Sequence, residues 1–122
     1  MKKRTKVQKI KIDVWRASIY VRYVFDSEEY MLDGDEPDGY TVIDHKYSPT
    51  IVLPMYCIRN NSTVSMSTIV HEATHAALDI LDRVGTSAVD RPENEQLTYL
   101  LGYIINRIML YMKKHNLKYT QA

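Results

Sequence analysis

Only one cysteine, Cys57, occurs in the 122 residues. An internal disulfide is therefore excluded, and a chain so poor in thiols fits a reducing compartment. Neither sign of charge is in excess: sixteen Lys and Arg stand against fifteen Asp and Glu, a net charge of +1. No global field draws such a chain toward nucleic acid. No apolar run approaches the roughly 18 residues of a membrane span. The opening Met1-Lys-Lys-Arg-Thr-Lys has the charge of a secretion signal but no apolar stretch behind it. Internal repeats and low-complexity segments are missing as well. What is present, 45% hydrophobic and 25% charged residues, is close to the soluble globular average and rules out a collagen-like or disordered chain. A chain of this length fits one domain, 1–122, and not two cores. It can bury roughly two-thirds of the surface its unfolded form exposes without a disulfide scaffold. The expectation is a cytoplasmic single-domain protein with no nucleic-acid or membrane partner.

The chain divides into a strand-rich part, 1–58, and a helical part, 62–115. Over residues 7–25, Ile10, Ile12 and Val14 and then Ile19, Val21, Tyr23 and Phe25 recur at period two. That alternation predicts one long or two shorter half-buried strands. The basic stretch 2–11 is interleaved with the first of them and reads as a solvated strand edge. Residues 26–39 are acidic, carry Gly34, Pro37 and Gly39, and read as an exposed loop. Its run from Asp33 to Asp38 lacks the order of acidic positions and glycine that a calcium loop needs. Two further strands are expected over 40–43 and 50–53, with Pro49 and Pro54 confining them to edges or strand ends.

After Asn60-Asn61-Ser62 the periodicity turns helical. A first helix is capped by Ser62 or Ser65 and stops at Gly85. Its apolar stripe is Met66, Ile69, Val70, Ala73, Ala77, Ile80, Leu81 and Val84. A second starts near Pro92, carries Leu97, Leu100, Leu101, Ile104, Ile108 and Tyr111, and runs to Lys113 or His115. The expected fold class is α+β: a small antiparallel or mixed sheet packed on two C-terminal helices.

The first helix contains His71-Glu72-Ala73-Thr74-His75, a match to H-E-x-x-H. Histidines four apart project from one side of a helix, so both imidazoles can reach one ion. Zinc accepts neutral imidazole at about 2.0–2.1 Å, and two such ligands leave room for a carboxylate and a water. Glu72 lies about 100° around the helix from His71, beside such an ion, where its carboxylate can take a proton from acidified water. The histidines centre roughly 160° from the apolar stripe, so they face a cleft or solvent and not the core. Asp79 and Asp82 follow on the His75 side and read as exposed helix carboxylates.

A zinc site of this kind needs a third ligand, and Glu93 and Glu95 both stand at the start of the second helix. Glu93 shares the side of Leu97, Leu100 and Ile104. Glu95 shares a face with Thr98 and Gly102, small residues that would let the first helix approach closely, and it is favoured on that ground. The other carboxylate would complement the helix dipole. Help for a developing oxyanion could come from Tyr99, Tyr103, Tyr47 or His45, of which Tyr99 is preferred. Tyr99, four residues after Glu95, could instead hold a ligand from behind.

H-E-x-x-H followed by a Glu on the next helix resembles the gluzincin group of zinc metallopeptidases. In its short form the chain is similar to the minimal zincin-like proteins encoded by phages and bacteria. The resemblance covers residues 71–108, with Asn94-Glu95 through Tyr99 resembling that group's second-helix motif. It implies a zincin-like fold, in which a small sheet packs against the active-site helix and substrate lies along an edge strand. It also implies one Zn2+ per chain held by His71, His75 and Glu95, with Glu72 as general base. The chain is much shorter than the well-studied peptidases, and it shows no propeptide and no motif for an oxyanion-steadying residue. Peptide deformylases pair the same helix with a cysteine ligand, but Met-Tyr-Cys-Ile-Arg around Cys57 does not resemble their motif. Cys57 is read as a small buried hydrophobe.

The leading expectation is a zinc metallopeptidase acting on a peptide or protein that adds as a strand near 50–53 or 40–43. An alternative is a catalytically inactive, zinc-stabilised protein-binding module, against which the presence of Glu72 weighs. A third is metal-dependent hydrolysis of another bond.

Overall fold

The computed structural model describes residues 5–25, 39–44, 47–55, 64–83 and 95–121. The segment 7–25 forms two strands, β1 (Lys6–Ile12) and β2 (Ala17–Val24), joined by a 3-10 turn over Asp13–Trp15. Arg16 leaves that turn in the left-handed region at φ 48, its N–H bonded to Asp13 O at 3.2 Å. The reversal sets Ile10 against Ile19 and Gln8 against Val21 in an antiparallel ladder. The inward positions are Gln8, Ile10 and Ile12 on β1 and Ile19, Val21 and Tyr23 on β2, all buried. Lys9 and Lys11 alternate outward on what is an edge strand, as the basic pattern implies.

Strands β3 (Tyr40–Asp44) and β4 (Tyr47–Pro54) complete a four-stranded mixed sheet in the order β1-β2-β4-β3. β4 runs parallel to β2, with Val21 opposite Ile51, and antiparallel to β3. It is thus an interior strand, longer than the expected 50–53: Pro54 stands at its end, as expected, whereas Pro49 falls inside it. Pro49 is tolerated because the register with β3 shifts between Val42 and Asp44, where a ladder hydrogen bond is already lost. Pro54 ends the strand. The run Ile51-Val52-Leu53 is buried throughout, as expected for a strand covered on both faces.

Two helices follow, α1 (Met66–Arg83) and α2 (Glu95–Lys114). Ser65 caps α1: its Oγ accepts the Thr68 N–H at 3.2 Å. The other proposed cap, Ser62, the stop at Gly85 and the start near Pro92 lie outside the described residues. α2 ends on Asn116, left-handed at φ 56, with Leu117 N–H bonded to Met112 O at 2.8 Å and Asn116 N–H to Lys113 O at 3.3 Å. Those two bonds satisfy carbonyls the helix end would leave free. The tail then returns to the entry of α1, where Met66 N–H reaches Thr120 O at 2.8 Å and Thr120 N–H reaches Val64 O at 2.9 Å.

One apolar cluster joins the layers. Ile10, Ile19, Val21, Tyr23, Ile51 and Leu53 of the sheet pack with Ile69, Ala73, Ala77 and Leu81 of α1 and Leu100, Ile104 and Ile108 of α2. Ala76 and Met112 join it beyond the expected stripes, while Met66 and Val70, expected in the first stripe, are half-buried and not part of it. Each large aliphatic side chain buried there contributes about 1.5–3 kcal/mol, which fixes which face each helix turns inward. Among the described residues no helix is long and apolar enough to cross a membrane.

Candidate metal centre

Helix α1 carries the H-E-x-x-H residues, and its burial pattern sorts them. Ile69, Ala73, Ala76, Ala77, Ile80 and Leu81 face the core, leaving His71 and His75 on the exposed side. Their Nε2 atoms converge to 3.1 Å, with ring centroids 4.7 Å apart and planes at 79°. Two nitrogens bound to one ion at 2.0–2.1 Å in tetrahedral geometry stand about 3.3 Å apart, so the pair fits zinc with a shift of a few tenths of an ångström. Neutral imidazole is also the form zinc takes.

Glu72 occupies the boundary between that exposed side and the core and is buried, at 7% exposure. Position 72 lies next to the alanine face, and β3 covers it. Thr41 of β3 donates its hydroxyl proton to Glu72 Oε1 at 2.7 Å, with a longer approach of 3.2 Å to the Glu72 carbonyl oxygen. The other carboxylate oxygen, Oε2, stands 4.0 Å from His71 Nε2. The carboxylate is therefore held at one oxygen and turned toward the histidines with the other.

Gly39 completes the wall. A Cβ at this position would meet Thr68 Cγ2 at 2.7 Å, so only glycine lets the start of β3 approach α1 so closely. Gly39, Ser67, Thr68, His71 and Glu72 line an open concavity of about 410 Å3. Neither Gly39 nor Thr41 is visible as a site residue in the sequence, where Thr41 is simply one position of a short strand.

The remaining expected residues lie elsewhere. Glu95 opens α2 and is exposed, lining with Thr98, Tyr99, Gly102, Tyr103 and Asn106 a second concavity of about 660 Å3. The expected close approach of α1 through Thr98 and Gly102 is not made: both are exposed, and nothing lies within 4 Å of a Cβ at Gly102. α2 packs instead through Leu100, Ile104 and Ile108, because that face buries more apolar surface. Tyr99 is 78% exposed and does not line the concavity of His71 and Glu72. Tyr103 donates its hydroxyl proton to Lys11 O at 2.9 Å, far from the histidines in the fold. Asp79 is no exposed carboxylate: its side chain is buried and accepts from Arg83 Nε at 2.6 Å, one turn on. Asp82 is exposed as expected. Glu93, His45, Cys57 and the acidic run 33–38 lie outside the described residues, as does the side chain of Tyr47.

Among the described residues no three His, Cys, Asp or Glu side chains stand together as a complete ligand set. What the structure assembles is a pair of ligand nitrogens, a buried carboxylate beside them and a strand hydroxyl holding that carboxylate. No family model, no curated protein and no solved structure matches the chain.

Proposed function

We propose that this chain is a zinc-dependent metallopeptidase with a zincin-like fold, of the gluzincin type. The observation that carries the reading is the convergence of His71 and His75 Nε2 to 3.1 Å on an exposed helix side, with the Glu72 carboxylate beside them. Activation of a metal-bound water gives that carboxylate a role beyond its hydrogen bond with Thr41. His71 and His75 would hold one zinc ion. The third ligand is proposed at the entry of α2: Glu95, by resemblance to the gluzincin second-helix motif, or Glu93. Glu93 lies outside the described residues and stays the alternative the sequence offers. Zinc bound there supplies a Lewis acid and lowers the pKa of water toward neutrality.

Glu72 does the proton work. Its Oε1 is engaged by Thr41, so Oε2 is the oxygen left to accept the proton of the attacking water and return it to the leaving amine. Tyr99 is the proposed oxyanion donor, for a substrate that spans toward α2. The substrate is a peptide or protein segment that adds as a strand to β3, whose one ladder among the described residues is with β4. The other expected position, over 50–53, is closed to a substrate strand, because both edges of β4 are already paired there. With a single cysteine and no nucleic-acid role proposed, the cytoplasm is the compartment we assign.

The test is Glu72→Gln, assayed with an unstructured protein such as casein as the probe. Hydrolysis is expected to fall by about 10²-fold or more while bound zinc stays at the parental level. Equal hydrolysis by parent and variant overturns the mechanism.

A further inference from the structure

The contact between β3 and α1 repeats. Gly39 immediately precedes β3 and Thr41 is its second residue; two residues of extended chain span about 6.6 Å. Residues 68 and 72 are four apart on a helix and lie on the same side, separated along the axis by about 6 Å. The two spacings nearly coincide, and the structure uses the match: Gly39 meets Thr68 and Thr41 meets Glu72. The first contact allows no side chain at 39, and the second is a hydrogen bond of 2.7 Å. Strand and helix are locked in one register over a single turn, the turn that leads to the histidine pair.

We propose that Thr41 is the positioning residue for Glu72. Its side chain acts through the carboxylate, while a peptide paired on β3 would meet the strand's backbone, which a side-chain substitution leaves in place. Resting on the reading of the site given above, its role is to fix which oxygen faces the histidines. With Oε1 held by the Thr41 hydroxyl, the carboxylate plane cannot rotate freely, and Oε2 stays on the His71 side, 4.0 Å from Nε2. The anchor comes from the strand that would receive the substrate. A peptide paired along the outer edge of β3 is thereby placed in fixed relation to Glu72, because one strand holds both. Neither a threonine in a five-residue strand nor a glycine before it announces this in the sequence. The two partners of the hydrogen bond are 31 residues apart.

Thr41→Val removes the hydroxyl and keeps the branched shape. It is expected to lower kcat on casein by about tenfold or more, since misplacing a reacting group by an ångström has effects of that size. KM should stay within about twofold and zinc per chain should not change, because no group that binds peptide or metal is removed. Thr41→Ser, which restores the hydroxyl, is expected to recover most of kcat. A readout independent of turnover comes from urea unfolding of the metal-free proteins. Thr41→Val should lower the midpoint more in the parent than in a Glu72→Ala background, where the carboxylate is already gone. Should the valine variant fail to fold, Thr41→Ala with Thr41→Ser provides the same comparison.

Parental kcat in Thr41→Val, alongside a dead Glu72→Gln, overturns the role of Thr41 and leaves the site reading standing. A serine variant as slow as the valine variant overturns it too, as does loss of zinc or a large rise in KM, which would mark a merely structural contact. A parent that hydrolyses nothing overturns the site reading and this assignment with it.

Discussion

Tyr23 donates its phenol proton to Gln8 Oε1 at 2.6 Å within the apolar layer between sheet and helices. Gln8 Nε2 in turn donates to Arg107 O of α2 at 2.9 Å, so a buried polar chain ties β2 to β1 and β1 to the second helix. Tyr111 stacks on Tyr23 at 4.9 Å with planes 10° apart. Among the described residues no buried side-chain nitrogen or oxygen lacks a partner. The strength of such a chain lies in the cost of breaking it. Tyr23→Phe strands the Gln8 oxygen and should destabilise by about 1–3 kcal/mol, read from urea unfolding. Adding Gln8→Leu, which removes the stranded group, should recover part of the loss; a double variant no more stable than the single one contradicts the account.

The same phenol makes stability sensitive to alkali. Burial, and to a smaller degree Tyr111 beside it, pushes Tyr23 well above the ordinary value of 10.0. Below pH 10 both folded and unfolded forms hold the proton and nothing is lost. Above it the unfolded chain releases a proton that the folded one keeps, so stability falls as pH rises from about 10. Tyrosinate absorbance should therefore appear in two stages, exposed rings first and Tyr23 only with unfolding. A smooth single titration with the fold intact would refute this.

Two glycines should respond in opposite ways to alanine. At Gly39 the added methyl meets Thr68 Cγ2 at 2.7 Å, and Gly39→Ala is expected to cost about 1–3 kcal/mol. Thr68→Ser, which deletes that methyl, should restore much of the loss. At Gly102, inside α2, nothing lies within 4 Å, so Gly102→Ala should stabilise by about 1 kcal/mol. Thermal unfolding of the variants checks both signs.

How much of this was legible in the sequence depends on range. Ile10 and Ile12, then Ile19, Val21 and Tyr23, mark the inward face of the first hairpin, because period two is a local property of a strand; Val14, in the same alternation, falls instead in the 3-10 turn and is exposed. Gln8 falls in phase with Ile10 and Ile12, and that phase is the signal of its burial. The stripes of both helices and the outward placement of His71 and His75 follow from the helical period alone. The parallel pairing of β2 with β4 does not, since periodicity says nothing about which strands become neighbours. Prolines at 49 and 54 predict edges or strand ends; Pro54 does end β4, while a register shift accommodates Pro49 inside an interior strand.

At the site itself the wheel set Glu72 beside the histidines but could not show that β3 buries it. The Thr41 contact is long-range and has no local mark. The face of α2 differs from the expected one because small residues at 98 and 102 permit close approach without rewarding it. Leu100, Ile104 and Ile108 bury far more apolar surface and decide the packing. Asp79 has a partner legible in the sequence, Arg83 four residues later on the same helix side.

The central claim is that the histidine pair holds zinc, and elemental analysis of tag-free, dialysed protein tests it most directly. The account predicts about one zinc per chain in the parent, lost in His71→Ala and His75→Ala and lost in only one of Glu93→Ala and Glu95→Ala, which identifies the third ligand. A parent that holds no zinc, and takes up none when zinc is offered, contradicts it.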